Sequence, residues 1–91
     1  MQTAISGRPA VSDPKPLMRT VVGRYLRAHR KSLTLRDVSN ASGIALGYLS
    51  EIERGSKQAS DEIIIAICDT LGIKIQDMYR EIADWYDRNG F

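Results

Sequence analysis

Cysteine is almost missing from this sequence, where Cys68 stands alone. One thiol closes no intrachain disulfide and founds no cysteine-based zinc framework, which fits a reducing cytoplasm. Set in the apolar run IIIAIC (63–68), it reads as an inert small hydrophobe. Histidine is equally scarce. His29 has no second imidazole to share a metal with, and no HExxH, GxSxG, P-loop or CxxC pattern occurs. Asp84 and Asp87 share a helical face, but nothing near them suggests a metal or a cleft. The expectation is no catalytic residue, no metal, no cofactor and no enzyme. Long apolar runs are absent too. IIIAIC, the longest, falls far short of the roughly 20 residues that cross a bilayer, so no membrane partner is expected. The opening MQTAISGRPAVSDPKP lacks the apolar stretch of a secretory signal. No segment alternates with a period of two, so strands are not expected.

Proline is confined to positions 9, 14 and 16. Together with few large apolar residues, this marks residues 1–16 as a disordered tail. The remainder has room for one small domain with a modest core, a size at which oligomerisation often adds stability. Charge is divided along it. Residues 1–60 hold ten Lys/Arg against four acids, a balance of +6, and residues 61–91 hold three against seven, a balance of −4. A basic body suggests an anionic partner, and an unevenly charged solvated surface is the plainer alternative.

What is present is helical. Met18, Val21, Val22, Tyr25, Leu26 and His29 recur at three- and four-residue spacings, predicting a helix over about 17–31. Thr34 with Asp37 three residues on is a capping-box pattern opening a second helix, which Gly43 closes. IALGYLSEIERG predicts a third over about 45–54, with Gly55 as its stop. Ser60, followed by Asp61 and Glu62, opens a fourth that Gly72 ends. A fifth runs from about Ile75 to Arg88. The fold class is all-α, with five short helices.

The second and third helices carry the functional signal. A helix-turn-helix joins two helices at a large angle through a short turn. Gly43 supplies the positive φ that the turn needs. Ser39, four residues earlier, is small enough for the helices to touch. Val38, Ile44, Leu49 and Ile52 fill the core between them.

On these residues LTLRDVSNASGIALGYLSEIERG (33–55) resembles the helix-turn-helix domain of the Cro/C1 (XRE, phage repressor-like) family, most recognisably in LSEIERG. The resemblance covers about residues 20–79 and implies a lambda-repressor-like domain over 17–79. A C-terminal helix over 75–91 would form a dimer interface. Within the family the sequence looks similar to actinobacterial regulators of Clp protease genes. That implies a cytoplasmic, dimeric transcriptional activator of protein quality-control genes that binds a pseudo-palindromic operator in double-stranded DNA.

The resemblance assigns roles by position. Ala45, Leu46, Gly47, Ser50 and Glu51 fall where the third helix reads bases in the major groove. Leu46 would meet a thymine methyl, with a core position as the competing reading. Gly47 would allow close approach to DNA, with tight helix packing as its alternative. Glu51 would accept a hydrogen bond from cytosine N4 and penalise sequences without that donor. Arg36, Tyr48, Arg54, Lys57 and Gln58 would hold phosphates. Glu53 would turn inward to pair with Arg30. The fifth helix shows Met78, Tyr79, Ile82, Trp85 and Tyr86. One face could pack on the first and fourth helices, and the remainder is too aromatic for a free surface, which suggests a dimer interface, with closure of a monomer core as the alternative. Leu35 stands where glutamine is usual, Ser42 where leucine is usual, and Ala45 where a serine or threonine would cap. RNA polymerase would be a further partner. The acidic helix positions that reach it in the lambda-repressor relative are Arg36 and Asn40 here, so that mode does not transfer. Two other classes compete, an antitoxin-type repressor with a toxin-binding acidic end and a protein-interaction module that kept the fold.

Overall fold

Helix follows helix at short intervals between Met18 and Arg88, two of them opened by side-chain caps at Thr34 and Ser60 and closed by the left-handed glycines Gly43 and Gly72. The computed structural model describes residues 15–91. Residues 1–14 of the expected tail lie outside them. Helix α1 spans Met18–Arg30, α2 Leu35–Ser42, α3 Leu46–Glu53, α4 Asp61–Leu71 and α5 Ile75–Arg88. No strand occurs among the described residues, so the fold class is all-α as the apolar spacing predicts.

The capping signals act through specific hydrogen bonds. Thr34 Oγ1 accepts from the Asp37 N–H at 3.0 Å, and Asp37 Oδ2 accepts from the Thr34 N–H at 2.9 Å. That N–H, and then the Thr34 hydroxyl, hold the Asp37 carboxyl below the ordinary carboxylate range. Ser60 accepts from the Ile63 N–H at the start of α4. Gly43 closes α2 in the left-handed region at φ 79°. The link from α1 to α2 is tight. It uses a non-glycine at positive φ, Lys31 at 54°, and the Arg30 guanidinium donates across it to the Leu33 carbonyl at 2.7 Å.

The core gathers Val21 and Leu26 from α1, Val38 from α2, Ile44 from the turn, and Leu49 and Ile52 from α3. Ile64, Ile67 and Cys68 of α4 and Met78 and Ile82 of α5 complete it. Each fully buried aliphatic side chain contributes about 1.5–3 kcal/mol relative to exposure. Burial pushes the Cys68 thiol pKa up, so it stays protonated beside Met78 Sδ at 3.9 Å.

Two apolar assignments need correction. Met18 is 54% exposed, because the buried stripe of α1 begins one turn later at Val21. More consequentially, Met78 and Ile82 do not face a partner. They are 1% and 3% exposed inside the chain's own core, because a domain this small needs α5 to close it. Trp85 and Tyr86 are half-buried against that core, and Tyr86 Oη donates to the Pro16 carbonyl at 2.8 Å. Tyr79 alone of the five stays largely exposed, at 54%.

Candidate nucleic-acid interface

The turn between α2 and α3 is locked by short polar contacts. The Gly43 N–H donates to the Ser39 carbonyl at 2.9 Å. Ser39 Oγ donates to the Ile44 carbonyl at 2.6 Å, and the Ile44 N–H donates to Ser42 Oγ at 3.2 Å. Ser39 is thus more than small, since its hydroxyl satisfies a carbonyl the turn would otherwise strand. Ser42, in place of a leucine, gives up core contact and takes an N–H instead. Leu35, in place of a glutamine, packs half-buried against the core. Buried Leu49 and Ile52 then fix which side of α3 points inward.

The opposite side of α3 is open. Ala45 and Gly47 are exposed, while Leu46, Ser50 and Glu51 are partly so. Residues 46, 47, 50 and 51 share one helical face. Leu46 lies outside the core cluster, so the packing alternative for it does not apply. A Cβ placed on Gly47 would meet nothing within 4 Å among the described residues beyond its chain neighbours and its own helix backbone, which removes tight packing as the reason for this glycine. The Glu51 side chain forms no salt bridge within the described residues. The Arg54 guanidinium folds back to donate to Ser50 Oγ, one turn earlier.

Arg36 lies exposed in the first turn of α2, where the helix dipole already favours an anion. Arg54, Lys57 and Gln58 are exposed just beyond α3, so the fold gathers these three at its exit. Tyr48 is set apart. It is half-buried and packs on the core, which leaves less of it free than the sequence pattern implies.

Glu53 turns away from this face. Arg30 Nε and Nη2 donate to its two carboxylate oxygens at 2.7 and 3.1 Å, with the side chains 18% and 12% exposed. The hydrogen bond to Glu53 raises the Arg30 pKa against the opposing effect of burial. Such a fork-to-fork pair fixes orientation as well as charge.

Sequence reasoning passed over two residues of α1 that also meet α3. Arg19 Nε donates to the Gly55 carbonyl at 3.0 Å. Gly23 is buried, and a Cβ there would lie 2.5 Å from the Ile52 carbonyl oxygen. A glycine inside a helix costs about 1 kcal/mol against alanine, and that cost was the available signal. His29 stacks on Tyr25 at 4.0 Å and is 3.8 Å from Glu81, between α1 and α5. Among the described residues, no His/Cys/Asp/Glu group could hold a metal, and no helix is long and apolar enough to cross a membrane.

Comparison with known proteins agrees with this geometry. A helix-turn-helix family model matches residues 24–78. The transcriptional regulator ClgR of Mycobacterium tuberculosis is 51% identical over 61 residues, covering 65% of this chain and 54% of that protein. The HTH-type transcriptional regulator DdrOP3 of Deinococcus deserti is 34% identical over 65 residues, covering 71% and 50%. The chain thus spans about half the length of the curated relatives it matches. A crystal structure of the clp gene regulator ClgR from Corynebacterium glutamicum superposes with a TM-score of 0.77 at 40% identity, covering 84% of this chain and 83% of that one. A second ClgR structure, also from C. glutamicum, gives 0.72 at 42% identity, with 77% and 94% covered. With its glycine-locked turn, its core-pinned third helix and these matches, the chain belongs to the Cro/C1-type helix-turn-helix family.

Proposed function

We propose that the chain is a sequence-specific DNA-binding transcriptional regulator, a dimer that places α3 in the major groove of each half of a pseudo-palindrome. The half-sites lie about 10 bp apart, centre to centre. The observation that carries this reading is the outward face of α3. Gly47 opens onto empty space, beside a Glu51 that forms no salt bridge within the described residues. A helix interior tolerates glycine poorly, so Gly47 does not serve the isolated domain, and a carboxylate repels phosphate, so Glu51 penalises DNA that offers it no donor. Both serve a surface that approaches base edges, where Glu51 accepts from cytosine N4. Ala45, Leu46 and Ser50 complete the base-reading set. Arg36, Arg54, Lys57, Gln58 and the Tyr48 hydroxyl hold the phosphates.

The family is one of transcriptional regulators and not of enzymes. The C. glutamicum relatives are named clp gene regulators, which supports clp genes as targets. Activation of Clp protease and related stress genes in the cytoplasm, with RNA polymerase as a further partner, extends that reading. The dimer reading now rests on Tyr79, Trp85 and Tyr86. Tyr79 supports it most, since it lines a shallow cavity of about 210 Å³ with Ile65 and Ile75, themselves incompletely covered.

Selection of bound sequences from random DNA tests the reading. It should return a two-fold motif with a cytosine in each half-site. Absence of any salt-dependent DNA affinity would refute it and favour a protein-interaction module. Co-purification of a neutralised toxin would favour the antitoxin alternative.

A further inference from the structure

One face of α1 converges on the C-terminal end of α3. Arg19, Gly23, Leu26 and Arg30 recur at spacings of four, three and four, which stacks them along a single side of the helix. Arg19 Nε holds the Gly55 carbonyl at 3.0 Å. At Gly23, a Cβ would lie 2.5 Å from the Ile52 carbonyl oxygen and 2.6 Å from that of Glu53, so only hydrogen fits between the two backbones. Gly55, at φ 77°, also lies close to α1, since a Cβ there would come within 2.9 Å of Thr20 Cα. Arg30 grips Glu53 with two bonds.

Helix α3 has little means of setting its own angle. It has eight residues, no side-chain cap at Ala45, and no basic residue in its last turn. Helices so short are not stable alone and take their orientation from what they pack on. Here a side chain and a missing side chain of α1 meet the carbonyls of Gly55 and of Ile52 and Glu53 at the α3 exit.

The geometry points to Arg19 and Gly23 as positioning residues for base reading. They set the angle and depth at which α3 meets the groove without themselves touching DNA. This rests on the DNA-binding reading above. Arg19 also lines a cavity with Lys57 and Gln58, so the competing role is a direct phosphate contact.

The full chain is made as wild type, Arg19→Met, Arg19→Lys and Gly23→Ala. Each is measured for thermal midpoint, for affinity toward the selected operator and its single-base variants, and for affinity across salt concentration. At a temperature where all are folded, Arg19→Met should shrink discrimination against single-base variants by about tenfold. Its salt slope should not change, and Arg19→Lys should restore part of the discrimination. Gly23→Ala should show the same contraction, and if it does not fold, Arg19→Met alone decides. Unchanged discrimination in Arg19→Met overturns the inference. So does a loss that is even across sequences with a salt slope lower by about one, the mark of a phosphate contact. A wild-type chain that binds no DNA would instead overturn the proposed function itself.

Discussion

The two ends of α3 are built on opposite plans. Its C-terminal end is fastened to α1 by the Arg30–Glu53 fork, the Arg19–Gly55 hydrogen bond and the bare approach of Gly23 to the Ile52 carbonyl. Its N-terminal end has no side-chain cap and carries an exposed glycine, with Tyr48 only half-buried against the core. A helix held at one end can offer the other to a ligand without losing its aim. Rigidity and openness, which compete within a single short element, are here assigned to different turns.

Substitutions can break that contrast in a graded order. Ile52→Ala, at the inward side of the fastened end, should cost about 2–5 kcal/mol in denaturant unfolding, since a buried isoleucine leaves a cavity. Glu53→Ala comes next. It strands a largely buried guanidinium and should cost about 1–3 kcal/mol, lowering the melting midpoint clearly more than Glu51→Ala does. The reverse order would refute its bracing role.

Gly47→Ala should act with the opposite sign. With open space around it, a methyl there should stabilise the fold by about 0.5–1 kcal/mol, while weakening operator binding if DNA approaches this point. Stabilisation without a loss of affinity would mean that nothing comes close. The smallest effect on stability belongs to Glu51→Ala, within about 0.5 kcal/mol, but it should relax preference at one cytosine per half-site. Unchanged base preference in a selection would remove Glu51 from the reading set.

Much of this was legible from spacing. Thr34 and Asp37 announce a capping box, Gly43 a left-handed turn, and Leu49 with Ile52 an inward stripe, because each is a local pattern whose partners lie within a few residues. What spacing could not give is the choice among faces that look alike. The stripe of α5 reads as an interface because its aromatics suggest surplus apolar area. Only the packing of α5 on α1 and α4 shows that Met78 and Ile82 are consumed internally. Gly23 and Arg19 went unread because their partners are backbone carbonyls more than twenty residues away, which carry no sequence signature. The correction also changes how a dimer can be tested. Truncation after residue 76 would remove Met78 and Ile82 from the core and unfold the protomer, so Tyr79→Arg in the whole chain, followed by sedimentation, is the informative variant.

The lengths of chain spanned by these contacts carry a kinetic consequence. The capping box and the turn locks join residues two to five apart, whereas the Arg30–Glu53 and Arg19–Gly55 contacts join residues 23 and 36 apart. Closing a longer loop costs more entropy before any contact repays it. The capping box and the turn are therefore expected to form early, and the reading helix to acquire its angle late. In stopped-flow experiments Ser39→Ala should slow refolding, whereas Arg19→Met should mainly hasten unfolding. Aim, on this account, is the last property the domain gains on folding and the first it loses.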